Sequence, residues 1–242
     1  MAGRHLTIEE AAKYIHIPAT TLTRLVKQEE IPYIRHGERI AFDAEELDAW
    51  ASQKILGMGA KPLNEYHREA TKDTRQSAGD VDLIKDYFRP ATMKINLPSR
   101  TKAAVLRDLV TMVDKAELLY SASDLVDSLV AREAICSTGL TGGVALVHPR
   151  NHDPYLAPES FIALARTLTP IPFGAPDGKN TDIFFLICCL DDRLHLHILA
   201  RLCAMINTTQ LLENIRMAED SDELYNAVIE AEQLVVAQLR DR

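Results

Sequence analysis

Between residue 52 and about residue 85 the chain loses the regular spacing of apolar side chains that a packed core requires. Gly57, Gly59, Ser77 and Gly79 stand among many charges there, which is the composition of a linker. The 242 residues therefore read as a small N-terminal unit, 1–55, a linker, 56–85, and a larger C-terminal unit, 86–242. A helical stretch near Asn64–Arg75 is expected inside the linker.

The formal net charge of −8 excludes a nucleic-acid field spread over the whole chain, so any DNA contact must come from a local patch. The longest purely apolar run, Ile183–Leu190, is far too short to span a bilayer. No apolar segment follows a basic start, so no secretory signal, no membrane and a cytoplasmic location are expected. The four cysteines, Cys136, Cys188, Cys189 and Cys203, form no Cys-x-x-Cys pair, and they read as reduced thiols in the interior.

In the N-terminal unit, Thr7 and Glu10 have capping-box spacing ahead of Ala11, Ala12 and Tyr14, which predicts a first helix. Ile17-Pro18 stops it, because a residue before proline avoids the α region. Thr20–Lys27 predicts a second helix after a tight turn. Ile31–Arg35 and Arg39–Phe42 read as β-type runs joined by His36-Gly37-Glu38, with glycine where a hairpin needs positive φ. Asp43 then caps a third helix whose apolar face includes Leu47 and Trp50.

The C-terminal unit alternates strand and helix. Thr92–Leu97 predicts a strand. Ser99 is expected to cap a helix bearing Ala103, Leu106, Leu109, Val110 and Val113 at helical spacing, and Ser123 or Asp124 to cap the next. Strands at 143–147, 161–167 and 183–190 alternate with helices at 192–206, 208–216 and 221–239, the pattern of an α/β layered fold. Within it, Ser137-Thr138-Gly139 and Gly142-Gly143 feed a short apolar strand ending in His148. An imidazole at a strand end is a nucleophile placed where loops begin. Arg132-Glu133-Ala134 lies just upstream, and His195 opens a helix after the apolar run.

Metal ligation is not expected. On a helix His195 and His197 point about 200° apart, and Pro149 prevents His148 and His152 from sharing a helical face. Asp191 and Asp192 read as helix caps.

Residues 86–242 resemble a type-2 enzyme IIA domain of the sugar phosphotransferase system, the mannitol/fructose class that includes nitrogen-regulatory members. The resemblance rests on Arg132-Glu133-Ala134, Ser137-Thr138-Gly139, Gly143-Val144-Ala145, His148, and His195-Leu196 with Leu199-Ala200-Arg201-Leu202. It implies a mixed sheet flanked by helices and no cofactor. It also implies that His148 accepts a phosphoryl group from HPr or an HPr-like carrier and passes it to a IIB domain or holds it as a signal. Arg132 is then expected to meet the added charge with two donors, and His195 to donate to the transferring oxygens near a helix N-terminus. The family usually has proline before the active histidine and glycine after it. Here Val147 and Pro149 stand there, and Pro149 brings no amide hydrogen to a bound phosphate.

Leu6–Tyr14, Pro18–Leu22, Ile31-Pro32 and Arg35-His36-Gly37 resemble the excisionase-type, MerR-related winged helix-turn-helix. That resemblance implies DNA contacts by Thr20, Thr21 and Arg24 on the second helix and by Arg35 and Arg39 on the wing. Specific binding is expected to need a homodimer or a tandem site. The combined expectation is a phosphotransferase-linked regulator, in which phosphorylation of His148 modulates DNA or partner binding. The alternative is a IIA fold that senses a ligand or binds a partner without phosphoryl transfer.

Overall fold

The computed structural model describes residues 5–37, 39–59, 62–63, 65–66, 83–150 and 155–240. Most of the helix expected near Asn64–Arg75 lies outside these residues, as do Glu38 and His152.

The first elements are β1 (His5–Leu6), α1 (Ile8–Tyr14), α2 (Ala19–Lys27), β2 (Ile34–His36), β3 (Arg39–Asp43) and α3 (Ala44–Leu56). The capping box forms as the spacing predicts: the Glu10 amide donates to Thr7 Oγ1 at 3.3 Å and the Thr7 amide to Glu10 Oε2 at 2.9 Å. Asp43 Oδ1 accepts the amides of Glu45 and Glu46 at 3.0 and 3.1 Å, which starts α3. The turn between α1 and α2 passes through His16 at φ +54°, a left-handed position that few non-glycine residues take. Strands β1, β3 and β2 form an antiparallel sheet in that order, with Leu6 opposite Phe42 and Arg35 opposite Ile40. The first strand of the wing is shorter than its sequence suggests. It begins at Ile34 because Pro32 has no N–H to give to a ladder. Trp50 Nε1 donates to the Glu30 carbonyl at 2.8 Å and ties α3 to the segment that leaves α2.

A 3₁₀ turn (Ile84–Tyr87) precedes β4 (Phe88–Leu97), α4 (Lys102–Lys115), α5 (Ala122–Ile135), β5 (Gly139–Leu140), β6 (Val144–Val147), β7 (Phe161–Ile171) and β8 (Thr181–Cys188). Then follow α6 (Asp192–Thr208), α7 (Leu211–Met217) and α8 (Ser221–Arg240). Two expected caps move. Thr101 and Ser121 cap α4 and α5, since each has the extended backbone required just before the first helical residue. Ser99 instead gives its hydroxyl to Asp108, and Ser123 lies inside α5.

The second sheet has the order β4-β7-β8-β6-β5. It is mixed: β4 runs parallel to β7 and β6 to β8, while β7–β8 and β5–β6 are antiparallel. On one face Ala145, Val147, Ala163, Ala165, Phe184 and Leu186 pack with Val105, Leu109 and Val113 of α4 and Leu125 and Leu129 of α5. The alternate residues Val144, Leu146, Leu164, Ile183, Phe185 and Ile187 are also fully buried, so the central strands read as continuous apolar runs, as strands covered on both faces do. The buried Glu232 of α8 accepts the amides of Ile84 and Lys85 at 2.7 and 2.9 Å, and this fixes the entry to the sheet.

The chain forms two compact units, Met1–Asp82 with Asp192–Asn207 and Leu83–Asp191 with Thr208–Arg242. Helix α6 is thus grouped with the N-terminal segment. Every residue from His195 to Met205 in it is buried.

Candidate functional site

Strand β6 ends at Val147, and His148 follows with 2 % of its surface exposed. Its Nδ1 lies 2.9 Å from the Leu146 carbonyl oxygen. A carbonyl can only accept, so Nδ1 carries the proton. Its Nε2 lies 3.0 Å from Arg132 Nε, and a guanidinium can only donate, so Nε2 offers its lone pair. These two contacts favour one neutral tautomer, with the proton on Nδ1 and the lone pair on Nε2.

Arg132 stands in the last turn of α5, 4 % exposed. Its Nη1 donates to the Cys136 carbonyl at 3.1 Å and to Cys136 Sγ at 3.3 Å. The next residue, Glu133, points its carboxylate at the following turn. Its Oε1 accepts the Thr138 amide at 2.9 Å and the Thr138 hydroxyl, and its Oε2 pairs with Lys102 Nζ at 2.6 Å. Lys102 also donates to the Phe173 carbonyl at 3.1 Å and lies over the Phe173 ring. The Leu146 amide donates to the Thr138 carbonyl at 3.1 Å, so the turn that Glu133 holds is bonded to the strand that carries His148. After Pro149, the Arg150 amide donates to Ser128 Oγ at 3.0 Å and returns the chain to α5. The consecutive residues Arg132 and Glu133 therefore brace the site from one helix end. Arg132 acts on the imidazole directly, and Glu133 acts through the backbone.

His195 is the fourth residue of α6 and is fully buried. Its Nδ1 lies 3.7 Å from Asp48 Oδ1 of α3, within the first compact unit. His197 is also buried. On α2, Thr20 and Arg24 are exposed, and Arg24 Nη1 donates to Gln28 Oε1 at 2.7 Å. Thr21 is half-buried and lines a cavity of about 180 Å³ with Ile15, Leu25, Trp50 and Tyr66. On the wing, Arg35 and Arg39 are exposed, and the Arg35 guanidinium sits 5.7 Å from the Tyr33 ring centre.

Residues 86–231 match the family model of the phosphoenolpyruvate-dependent sugar phosphotransferase system, EIIA 2. The chain belongs to this family. Residues 6–55 match a helix-turn-helix domain model. A nitrogen regulatory protein of Pseudomonas aeruginosa is 25 % identical over 151 residues, which cover 62 % of this chain and 96 % of that one. The fructose-specific EIIABC component of Bacillus subtilis is 26 % identical over 147 residues, covering 60 % of this chain and 23 % of that protein. Among solved structures, the IIA-Ntr protein of Neisseria meningitidis superposes with a TM-score of 0.54 at 24 % identity, covering 60 % of this chain and 98 % of that one. These likenesses agree with the IIA fold described above. No described helix is long and apolar enough to cross a membrane.

Several residues make contacts that the sequence alone did not assign. Cys136 shares Arg132 with His148, although its spacing read only as an interior thiol. Glu133 and Lys102 gave no sign of pairing, being 31 positions apart. Asp48 could have been noticed: with Ala51, Ser52 and Ile55 it occupies the i, i+3, i+4 and i+7 positions of one helical face, and all four are buried.

The four thiols differ in burial. Burial pushes those of Cys188 and Cys203 up to about 12, and Cys189 is buried, whereas Cys136 is partly exposed. The thiolate is the reactive form. Titration of the native protein with a disulfide reagent at mildly alkaline pH should modify Cys136 first, and the other three only on unfolding. Peptide mapping that finds Cys188 or Cys203 modified first would contradict this assignment.

Proposed function

We propose that the chain is a phosphotransferase-linked regulator, in which His148 takes a phosphoryl group from an HPr-type carrier and the resulting charge alters DNA or partner binding by the N-terminal domain. The observation that carries the reading is the tautomer: Leu146 O holds the Nδ1 proton, and Nε2 presents its lone pair beside Arg132. In the transfer, the Nε2 lone pair forms the new bond to phosphorus. The carrier's P–N bond breaks, and its electron pair returns to the carrier's imidazole. The His148 Nδ1 proton stays against Leu146 O throughout. The phosphoryl group brings a charge of about −2 by analogy with other phosphorylated side chains, and the Arg132 Nε–H turns from Nε2 to a phosphoryl oxygen as a charge-assisted bond. A IIB domain is the further acceptor. His195, whose Nδ1 lies beside Asp48 in the first compact unit, carries no step of this transfer.

DNA binding is proposed for Thr20, Thr21 and Arg24 on α2 and for Arg35 and Arg39 on the wing. With so few cations, one copy binds weakly and a homodimer supplies the second recognition helix.

The pseudo-carrier reading has its own observations: Pro149 offers no amide donor, and His148 is 2 % exposed, so transfer requires that the imidazole be uncovered. One experiment separates the two. The protein is incubated with phosphoenolpyruvate, enzyme I and HPr and weighed intact at neutral pH. One acid-labile phosphoryl group supports the carrier. An unlabelled protein beside a labelled control IIA domain supports the pseudo-carrier. A salt-dependent DNA mobility shift that is lost in the Arg24→Ala/Arg35→Ala double variant supports the regulator, and a shift that survives it removes those residues from the contact.

A further inference from the structure

Arg132 must satisfy two demands. It donates to the His148 lone pair at rest, and in the proposed transfer that same N–H must find a phosphoryl oxygen without the guanidinium leaving the site. An arginine side chain has about 2 kcal/mol of rotamer entropy to lose, so it needs tethers away from the reacting edge. The structure supplies them at one residue. Nη1 has two hydrogens in the guanidinium plane. The Cys136 carbonyl lies 3.1 Å from Nη1 and the Cys136 sulfur 3.3 Å from it. While Nε bonds His148 the guanidinium is held from both ends, and when Nε–H turns to a phosphoryl oxygen the two acceptors on Nη1 keep the far end in place better than the carbonyl alone would.

The tether is itself fixed. Cys136 closes α5 with extended backbone, φ −162° and ψ 152°. Two residues on, Thr138 is bonded by its amide and its hydroxyl to Glu133. The sulfur is therefore held between the end of a helix and a clamped turn, and it faces the arginine that bonds His148.

We infer that the Cys136 side chain is a positioning residue for phosphoryl transfer at His148, its sulfur holding the Nη1 edge of Arg132 so that Nε–H stays aimed at the reacting nitrogen. The inference rests on the carrier reading. Sulfur is a weak acceptor, so the effect is modest in size and specific in kind.

The test uses the full chain, with Cys136→Ala and Cys136→Ser, in single-turnover transfer from phosphorylated HPr at varied carrier concentration. Exchange of the Arg132 Hε proton with solvent is followed by NMR on the unphosphorylated protein. Cys136→Ala should lower the maximal rate about three- to fivefold, the range of one modest hydrogen bond, with the KM for the carrier unchanged and Hε exchange faster. Cys136→Ser, whose hydroxyl oxygen can accept from Nη1, should restore both toward wild type. A labelled wild type with an equally fast Cys136→Ala, or a serine variant that behaves like alanine in both readouts, overturns this inference alone. An unlabelled wild type beside a labelled control IIA domain overturns the carrier reading and the inference with it.

Discussion

His148→Ala will take up no acid-labile phosphate from the phosphoenolpyruvate, enzyme I and HPr mixture, and Arg132→Ala will take it up about 10²–10³-fold more slowly than wild type, the usual cost of removing a charge-stabilising donor. The first effect is total because the Nε2 of His148, with Nδ1 held by the Leu146 carbonyl and Arg132 alongside, is the nitrogen that forms the new bond in the proposed transfer, and alanine removes it. His148→Gln keeps a polar group of comparable size but cannot form the phosphoramidate, so it must be equally silent. Arg132→Ala leaves the nucleophile in place and removes the group that meets the incoming charge. It also frees the imidazole to take the other tautomer, which lowers the fraction of molecules ready to react. Arg132→Lys restores the charge but not the planar fork, since a lysine ammonium cannot bond His148 and Cys136 from two edges of one plane. It should recover only part of the rate. Intact mass after neutral quenching reads all four variants. Labelling of His148→Ala would move the acceptor elsewhere, and full-rate labelling of Arg132→Ala would remove the guanidinium from the reaction.

Gly143→Ala will destabilise the unit that carries His148 by about 2–3 kcal/mol, combining left-handed strain with loss of local bonds. Gly143 has φ +81°, and a Cβ there would sit 2.8 Å from Arg216 Nη2, 2.9 Å from Asp182 Oδ1 and 3.3 Å from the Asn180 carbonyl. Those atoms form a clamp. Arg216 grips Asp182 with two bonds, at 2.8 and 2.7 Å, and donates to the Gly142 carbonyl at 2.6 Å. The Gly143 carbonyl accepts the amides of Asp182 and Ile183 at 2.9 and 3.1 Å and so sets β6 beside β8. A methyl group must push the clamp apart at the start of the strand that ends in His148. Gly178 supplies the control: its φ is +68° with no atom within 4 Å of the added Cβ, so Gly178→Ala should show only the backbone strain, about 1 kcal/mol. Urea unfolding followed by far-ultraviolet circular dichroism measures both. Equal midpoints for the two variants would show that the clamp is not under the predicted steric load.

Much of this architecture was legible in the residues. The capping box at Thr7 and Glu10 and the Asp43 cap depend on neighbours three residues apart or fewer, and local rules suffice there. The alternation of apolar runs and helical stripes placed β6, β7, β8 and the helices after them to within a few residues. Pro32 shows where such rules fail, because a β-type composition did not reveal a missing ladder donor. The shifted caps of α4 and α5 show it again, since several hydroxyls compete near each helix start and only the backbone angles choose among them.

The residues of the candidate site were partly readable. A histidine at the end of a glycine-fed strand, with an arginine sixteen positions before it, marked out the pair that the fold joins at 3.0 Å. The tautomer of His148 was not readable, because it depends on which ring atom meets the Leu146 carbonyl. Nor was the partnership of Glu133 with Lys102, or that of His195 with Asp48, since each joins distant parts of the chain.

Sequence by itself determined the two modules, the type-2 IIA family of the larger one, and the candidate acceptor, because each is written in short-range spacing and residue type. Tertiary structure alone decided the His148 tautomer, the tethering of Arg132 by Cys136, and the grouping of α6 with the N-terminal segment. The reason is physical: a hydrogen bond is set over about 3 Å and within a narrow range of angles, and only the folded path of the backbone brings separated residues to that distance.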